Sequence, residues 1–178
     1  SIHAGVGAGI ILDHHLYTGL AGTAGEAGHM IVQPGGRSCP CGNHGCLEQY
    51  ISEPAVLSRY RELSGRTTVS IDDLVWAYNQ KETAALAVTD EFTTYLACGI
   101  NNLWNLFSPE CIILNSQLTA YLPQLLPEIL QKLSPRFRAT CHLKLSTLQD
   151  TGVLLGAARV CISKYLGTEK LYFSGLQP

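Results

Sequence analysis

The sequence predicts an α/β lobe, a mixed sheet flanked by helices. Three observations carry that expectation. A glycine-rich hairpin pattern opens the chain, a long apolar stripe at helical period runs through its middle, and the last third alternates short strand-like runs with helical ones. The 178 residues suit one domain, or one large lobe of a two-lobed protein.

Residues 1–18, SIHAGVGAGIILDHHLYT, combine Gly5, Gly7 and Gly9 with two apolar runs separated by Asp13-His14-His15, and predict a β-hairpin. A glycine-rich passage leads to His29, residues 30–33 predict a short strand, and PGGRSCPCGNHGC is turn chemistry throughout. Three short helices follow, over 46–52, 53–63 and 70–80, the second opened by Glu53-Pro54 and the third capped by Ser70 ahead of Asp72 and Asp73. Leu86, Val88, Phe92, Leu96, Ile100, Leu103, Trp104 and Phe107 place one long helix over 83–107, which Ser108-Pro109 ends. Its Trp104 and Phe107 are candidates either for a dimer surface or for ordinary core packing. A strand at 111–114, a helix at 121–133 with Pro123 and Pro127 constraining its first half, a strand at 143–148 and a helix at 152–166 complete the lobe. The tail 167–178 either docks on the body through Leu171, Tyr172 and Phe173 or frays.

Composition narrows the function. Hydrophobic residues make up 46 % and charged residues only 15 %, so the chain folds and its surface is poor in charge. A missing lobe or a partner subunit fits such a surface. The net charge of −2 gives no footprint for a polyanion, which excludes direct DNA binding by this segment, and no apolar run is long enough to insert in a membrane. Seven cysteines, three of them within eight positions and the rest scattered, do not form a secreted disulfide framework; a reducing cytoplasm is expected. The opening at Ser1 inside an extended apolar stretch, with Met30 as the only methionine, reads as a piece of a longer chain.

One constellation carries chemistry. Within HMIVQPGGRSCPCGNHGCLE, His29, Cys39, Cys41 and Cys46 offer one imidazole and three thiols to a folded-back loop, the donor set of a tetrahedral Zn²⁺ site. Gly42 and Gly45 permit the tight turns and Pro40 stiffens the bend. Four protein donors leave no position for activated water, so the zinc is expected to be structural rather than catalytic. His44 competes as fourth ligand, but the chain would have to double back to aim it inward, and His29 is preferred. On the residues alone, Glu26 reads as a solvated turn charge and Glu48 as a first-turn acid favoured by a helix dipole.

These residues bring the chain to a resemblance. GVGAGIILDHHLYTGLAGTAGEAGHM followed by CPCGNHGCLE resembles the signature of the ROK family of repressors and sugar kinases, matched here at Glu26, Gly28, His29, Cys39, Cys41, Gly42, Gly45, Cys46 and Glu48. NLWNLFSPE and TGVLLGAARV extend the likeness over nearly the whole chain. The resemblance implies the C-terminal lobe, over residues 1–178, of an actin-like, ribonuclease H-like sugar-kinase fold, with a zinc-binding segment at 29–46. It implies further that Glu26, His29 and Glu48 bind sugar hydroxyls, His29 through the ring nitrogen that does not face zinc.

Family kinases use ATP and Mg²⁺, and their catalytic aspartate would precede Ser1. They follow the strand at 111–114 with a glycine run, whereas this chain reads Asn115-Ser116, more like the glucose- and N-acetylglucosamine-responsive repressors. Gly5, Gly7 and Gly9 could cradle phosphate, or simply serve the hairpin. The resemblance thus implies the effector-sensing and dimerisation lobe of a repressor, with a sugar or sugar phosphate as signal. DNA would be reached through an upstream winged helix, the assembly would be a homodimer or dimer of dimers, and a sugar-transport protein is a further partner. A ROK hexose or N-acetylhexosamine kinase is the alternative.

Overall fold

The computed structural model describes residues 1–148 and 151–167. The hairpin forms, in miniature: β1 (Ile11–Leu12) pairs antiparallel with β2 (His15–Leu16), turning on Asp13 and His14 at φ 50° and 66°, the signs a two-residue hairpin turn requires. Ahead of it, Ile2 forms a parallel bridge to Ser116 and donates its N–H to the Asn115 carbonyl at 2.7 Å. The strand expected at 30–33 contracts to a single bridge between Ile31 and Cys46. Its neighbour is the turn at Gly45, whose carbonyl accepts from both Val32 and Gln33, so no ladder continues.

Four helices build the body: α1 (Glu48–Ile51), α2 (Glu53–Ser64), α3 (Ile71–Asn79) and α4 (Thr83–Phe107). Their ends follow the chemistry of the residues. Ser52 caps α2 with Pro54 in its first turn, and Ser70 and Asp73 close a reciprocal capping box on α3. Ser108 ends α4 in the left-handed region at φ 44°. The apolar stripe of α4 is the spine of the core, where Val88, Phe92, Leu96, Ile100 and Trp104 meet Tyr60, Leu74, Ile129 and Phe137. Trp104 is 7 % exposed and packs edge-on to Phe137 with ring centroids 5.9 Å apart, so it belongs to the core and not to a dimer surface.

Beyond α4, β3 (Cys111–Leu114) runs parallel to β4 (His142–Leu145), pairing Cys111 with His142 and Leu114 with Leu145. Leu114 and Leu143 face the core, and Cys111, Ile113, His142 and Lys144 face outward. β4 stops three residues short of the expected end, because Ser146 donates its N–H to the Leu114 carbonyl at the last residue of β3. The helix expected over 121–133 is shortened to α6 (Leu125–Lys132), separated by a break from a short preceding α5 (Gln117–Tyr121) and followed by α7 (Pro135–Thr140). Pro123 is the cause, since it lacks the N–H a continuing helix needs and forces Leu122 out of helical geometry. Last comes α8 (Thr151–Leu166), none of whose side chains is buried. Among the described residues the sheets are two-stranded, joined to the opening segment by the Ile2 bridge. The tail from 168 lies outside the described residues.

Candidate metal centre and polar edge

The loop before α1 is shaped by backbone geometry that only certain residues allow. Gly45 sits at φ +83°, and a Cβ there would lie 1.6 Å from the Gln33 carbonyl oxygen. A bridge between Ser38 and His44 then folds the cysteine segment into a tight loop. This fold-back brings His29, Cys39, Cys41 and Cys46 together, with one donor atom from each lying within 4.8 Å of all the others. His44 is not in the group.

Those donors fit a tetrahedral ion. With metal–sulfur distances near 2.3 Å and metal–nitrogen near 2.0 Å, the tetrahedron has edges of about 3.8 Å between sulfurs and about 3.5 Å from sulfur to nitrogen. Cys41 Sγ lies 3.6 Å from Cys46 Sγ, and Cys39 Sγ lies 3.7 Å from His29 Nδ1. All seven cysteines are free thiols, so no disulfide competes for the loop. The thiols differ in character. Cys41 is exposed, and a backbone hydrogen bond from Asn43, followed by contact with Cys39, brings its pKa down to about 7. Burial pushes Cys46 up to about 12, so an arriving cation must displace that proton itself.

The imidazole faces two ways. While Nδ1 points at the thiols, Nε2 lies 3.7 Å from a carboxylate oxygen of Glu26, which is exposed at the mouth of the short 3₁₀ turn Ala27–His29. That turn nests against the opening segment because Gly28 has no side chain: a Cβ would meet the Val6 carbonyl oxygen at 2.4 Å. Glu48 begins α1 and accepts the Val6 N–H at 3.0 Å through Oε2, with Gly5 close beside the same oxygen. Glu48 is therefore tied to backbone as well as being a helix-start acid. Gly7 and Gly9 line an apolar groove of about 340 Å³ between the opening segment, α4 and β3; a Cβ at Gly9 would meet open space, and one at Gly7 would touch the Gly25 carbonyl oxygen at 3.8 Å. After β3, Asn115 contacts His3 and Ser116 is buried.

Sequence reasoning passed over the support around the loop. Arg37 reaches α1 and α4, and Gln49 reaches Cys39. One signal was available: Arg37 is the only cation between His29 and Glu48.

Fold and loop together define a lobe of the actin-like sugar-kinase class, α/β in content, with a cysteine and histidine cluster beside a polar edge. The chain belongs to the ROK family, whose model matches residues 1–164. It is 33 % identical over 175 residues to a xylose repressor of Bacillus spizizenii, covering 96 % of this chain and 45 % of that protein. The match to the DNA-binding transcriptional dual regulator NagC of Escherichia coli is 34 % over 136 residues, covering 72 % and 34 % respectively. A solved ROK family transcriptional regulator, a homologue of the E. coli MLC protein, superposes with a TM-score of 0.76 at 30 % identity, covering 94 % of this chain and 46 % of that one. A ROK hexokinase of Thermus thermophilus shares the fold at a TM-score of 0.76 and 24 % identity, covering 92 % and 57 %. The chain spans about half the length of the curated relatives it matches. No helix among the described residues is long and apolar enough to cross a membrane.

Proposed function

We propose that this chain is the effector-sensing lobe of a ROK-family transcriptional repressor, its sugar site stiffened by a structural zinc ion. The observation that carries the reading is the single imidazole of His29, with Nδ1 toward three thiols and Nε2 beside the Glu26 carboxylate. His29, Cys39, Cys41 and Cys46 would hold the zinc, which when bound supplies a fixed tautomer and aim for that ring. Glu26, His29 Nε2 and the free oxygen of Glu48 then bind the hydroxyls of a sugar or sugar phosphate, since charge-assisted hydrogen bonds are roughly twice as strong as neutral ones. The repressor relatives support the regulatory role. Sugar would favour one of two lobe arrangements and so alter the spacing of DNA-binding winged helices in a dimer or dimer of dimers. Cytoplasmic location and capture by a sugar-transport protein accord with that role.

The kinase alternative, with ATP and Mg²⁺ held near Gly5, Gly7 and Gly9, draws on the shared fold. The turn after β3 weighs against it, because Asn115 and Ser116 are bound into the opening segment where a glycine turn would admit a nucleotide.

The test is calorimetric titration of the full-length protein with xylose, N-acetylglucosamine and their phosphates, after metal analysis. One zinc per chain and saturable binding of one of these sugars are expected, with Glu48→Ala weakening it by about 1.5–3 kcal/mol. Zinc retained in full by a Cys39, Cys41 and Cys46 triple-serine variant overturns the ligand set. Turnover of ATP with the bound sugar moves the assignment to the kinase.

A further inference from the structure

A divalent ion held by three thiolates and a neutral imidazole leaves one net negative charge on the donor set, which N–H donors placed against the sulfurs offset. Only Arg37 supplies a cation within the segment itself. It is held on every side: its N–H donates to Tyr50 Oη at 2.9 Å, Nη1 to the Gln49 carbonyl at 2.8 Å and Nη2 to Glu91 Oε1 at 2.5 Å, while its guanidinium lies over the Tyr50 ring, 4.6 Å from the centroid. Glu91, on α4, turns its other oxygen to Arg59 Nε of α2 at 3.1 Å. The residue whose carbonyl Arg37 grips then completes the chain, because Gln49 Nε2 donates to Cys39 Sγ at 3.6 Å. Cys39 is 4 % exposed, so this amide stands where water would otherwise solvate the sulfur.

We propose that Glu91, Arg37 and Gln49 form a positioning relay for the metal site, in which Glu91 fixes Arg37, Arg37 fixes Gln49, and Gln49 presents its amide to Cys39. The relay rests on the ligand set proposed above and adds two consequences to it. An N–H donor on a thiolate sulfur withdraws charge from it and holds it in place, which slows its departure from the ion. Because the relay starts on α4 and also touches α2, the packing of the helical body governs how firmly the loop keeps its metal.

Zinc release is the readout. The zinc-loaded chain is mixed with excess of a colorimetric chelator and the release rate is followed, alongside the thiolate-to-metal charge-transfer band of the cobalt-substituted protein. Gln49→Glu keeps the shape but replaces the donor with an acceptor, and should speed release by about ten-fold or more and shift the cobalt band; Glu91→Gln should speed release by about ten-fold. Glu62→Gln, which alters only the outer partner of Arg59, should leave both readouts unchanged. Release at the parent rate with an unshifted band in Gln49→Glu overturns the relay. A parent chain that takes up no zinc overturns the ligand set instead, so the two failures are told apart.

Discussion

At the scale of single residues, the loop separates positions that choose a conformation from positions that fill a space. Gly42 and Gly45 both have positive φ, at 93° and 83°, but a Cβ at Gly42 meets open space whereas one at Gly45 would overlap the Gln33 carbonyl. Gly42→Ala therefore costs only backbone strain, about 1–3 kcal/mol, and should still load one zinc per chain. Gly45→Ala must push the two sides of the loop apart, so zinc content measured by elemental analysis should fall well below one. Equal loading of the two variants would show that the Gln33 contact does not shape the donors. Both glycines were legible in the sequence as turn residues, since glycines beside closely spaced thiols imply tight bends. Which of them was also sterically confined was not legible, because Gln33 lies twelve positions away and only the fold-back brings its carbonyl near.

Among the elements, local signals set the ends of helices more firmly than their continuity. Ser70 and Asp73 read as a cap and are one, each satisfying a backbone or side-chain donor of the other. Ser70→Ala should lower unfolding stability by about 1 kcal/mol in urea titration, with an unchanged slope; no change would mean α3 is held by packing alone. Periodicity was equally informative for α4, whose buried residues follow the predicted stripe from Val88 to Trp104. It failed between 121 and 133, where apolar residues continue at helical spacing across Pro123 and the backbone constraint overrides the pattern. It failed again at 30–33, since Met30 to Gln33 find a glycine turn rather than a strand as neighbour. The supporting role of Glu91 left no local trace, because one acid on a long helix looks the same whether it faces water or two arginines.

On the scale of the whole molecule, the apolar surface is unevenly covered. α8 carries Val153, Leu154, Leu155, Val160 and Ile162 on several sides, all exposed, and the outer face of β3 adds Ile113 at 64 % exposure. A helix apolar all round is ordinarily buried, and a patch of this kind in a lone chain drives association. The 178-residue chain by itself should therefore bind the dye ANS and show mass above the monomer in light scattering, and Leu154→Glu with Leu155→Glu should reduce both. A dye-silent monomer would mean that these side chains find cover within the chain.

The cysteine loop is fastened to α4 at two stations. Arg37 meets Glu91, and Met30 Sδ accepts from the Asn102 side chain at 3.0 Å, eleven residues further along, or about 16 Å of helix rise. Added to the loop's bonds to α1, the two pins make it and the helix a single lever arm. A small tilt imposed on the loop by an effector at the proposed site would then be inherited along the full shaft and widen with distance from the pivot.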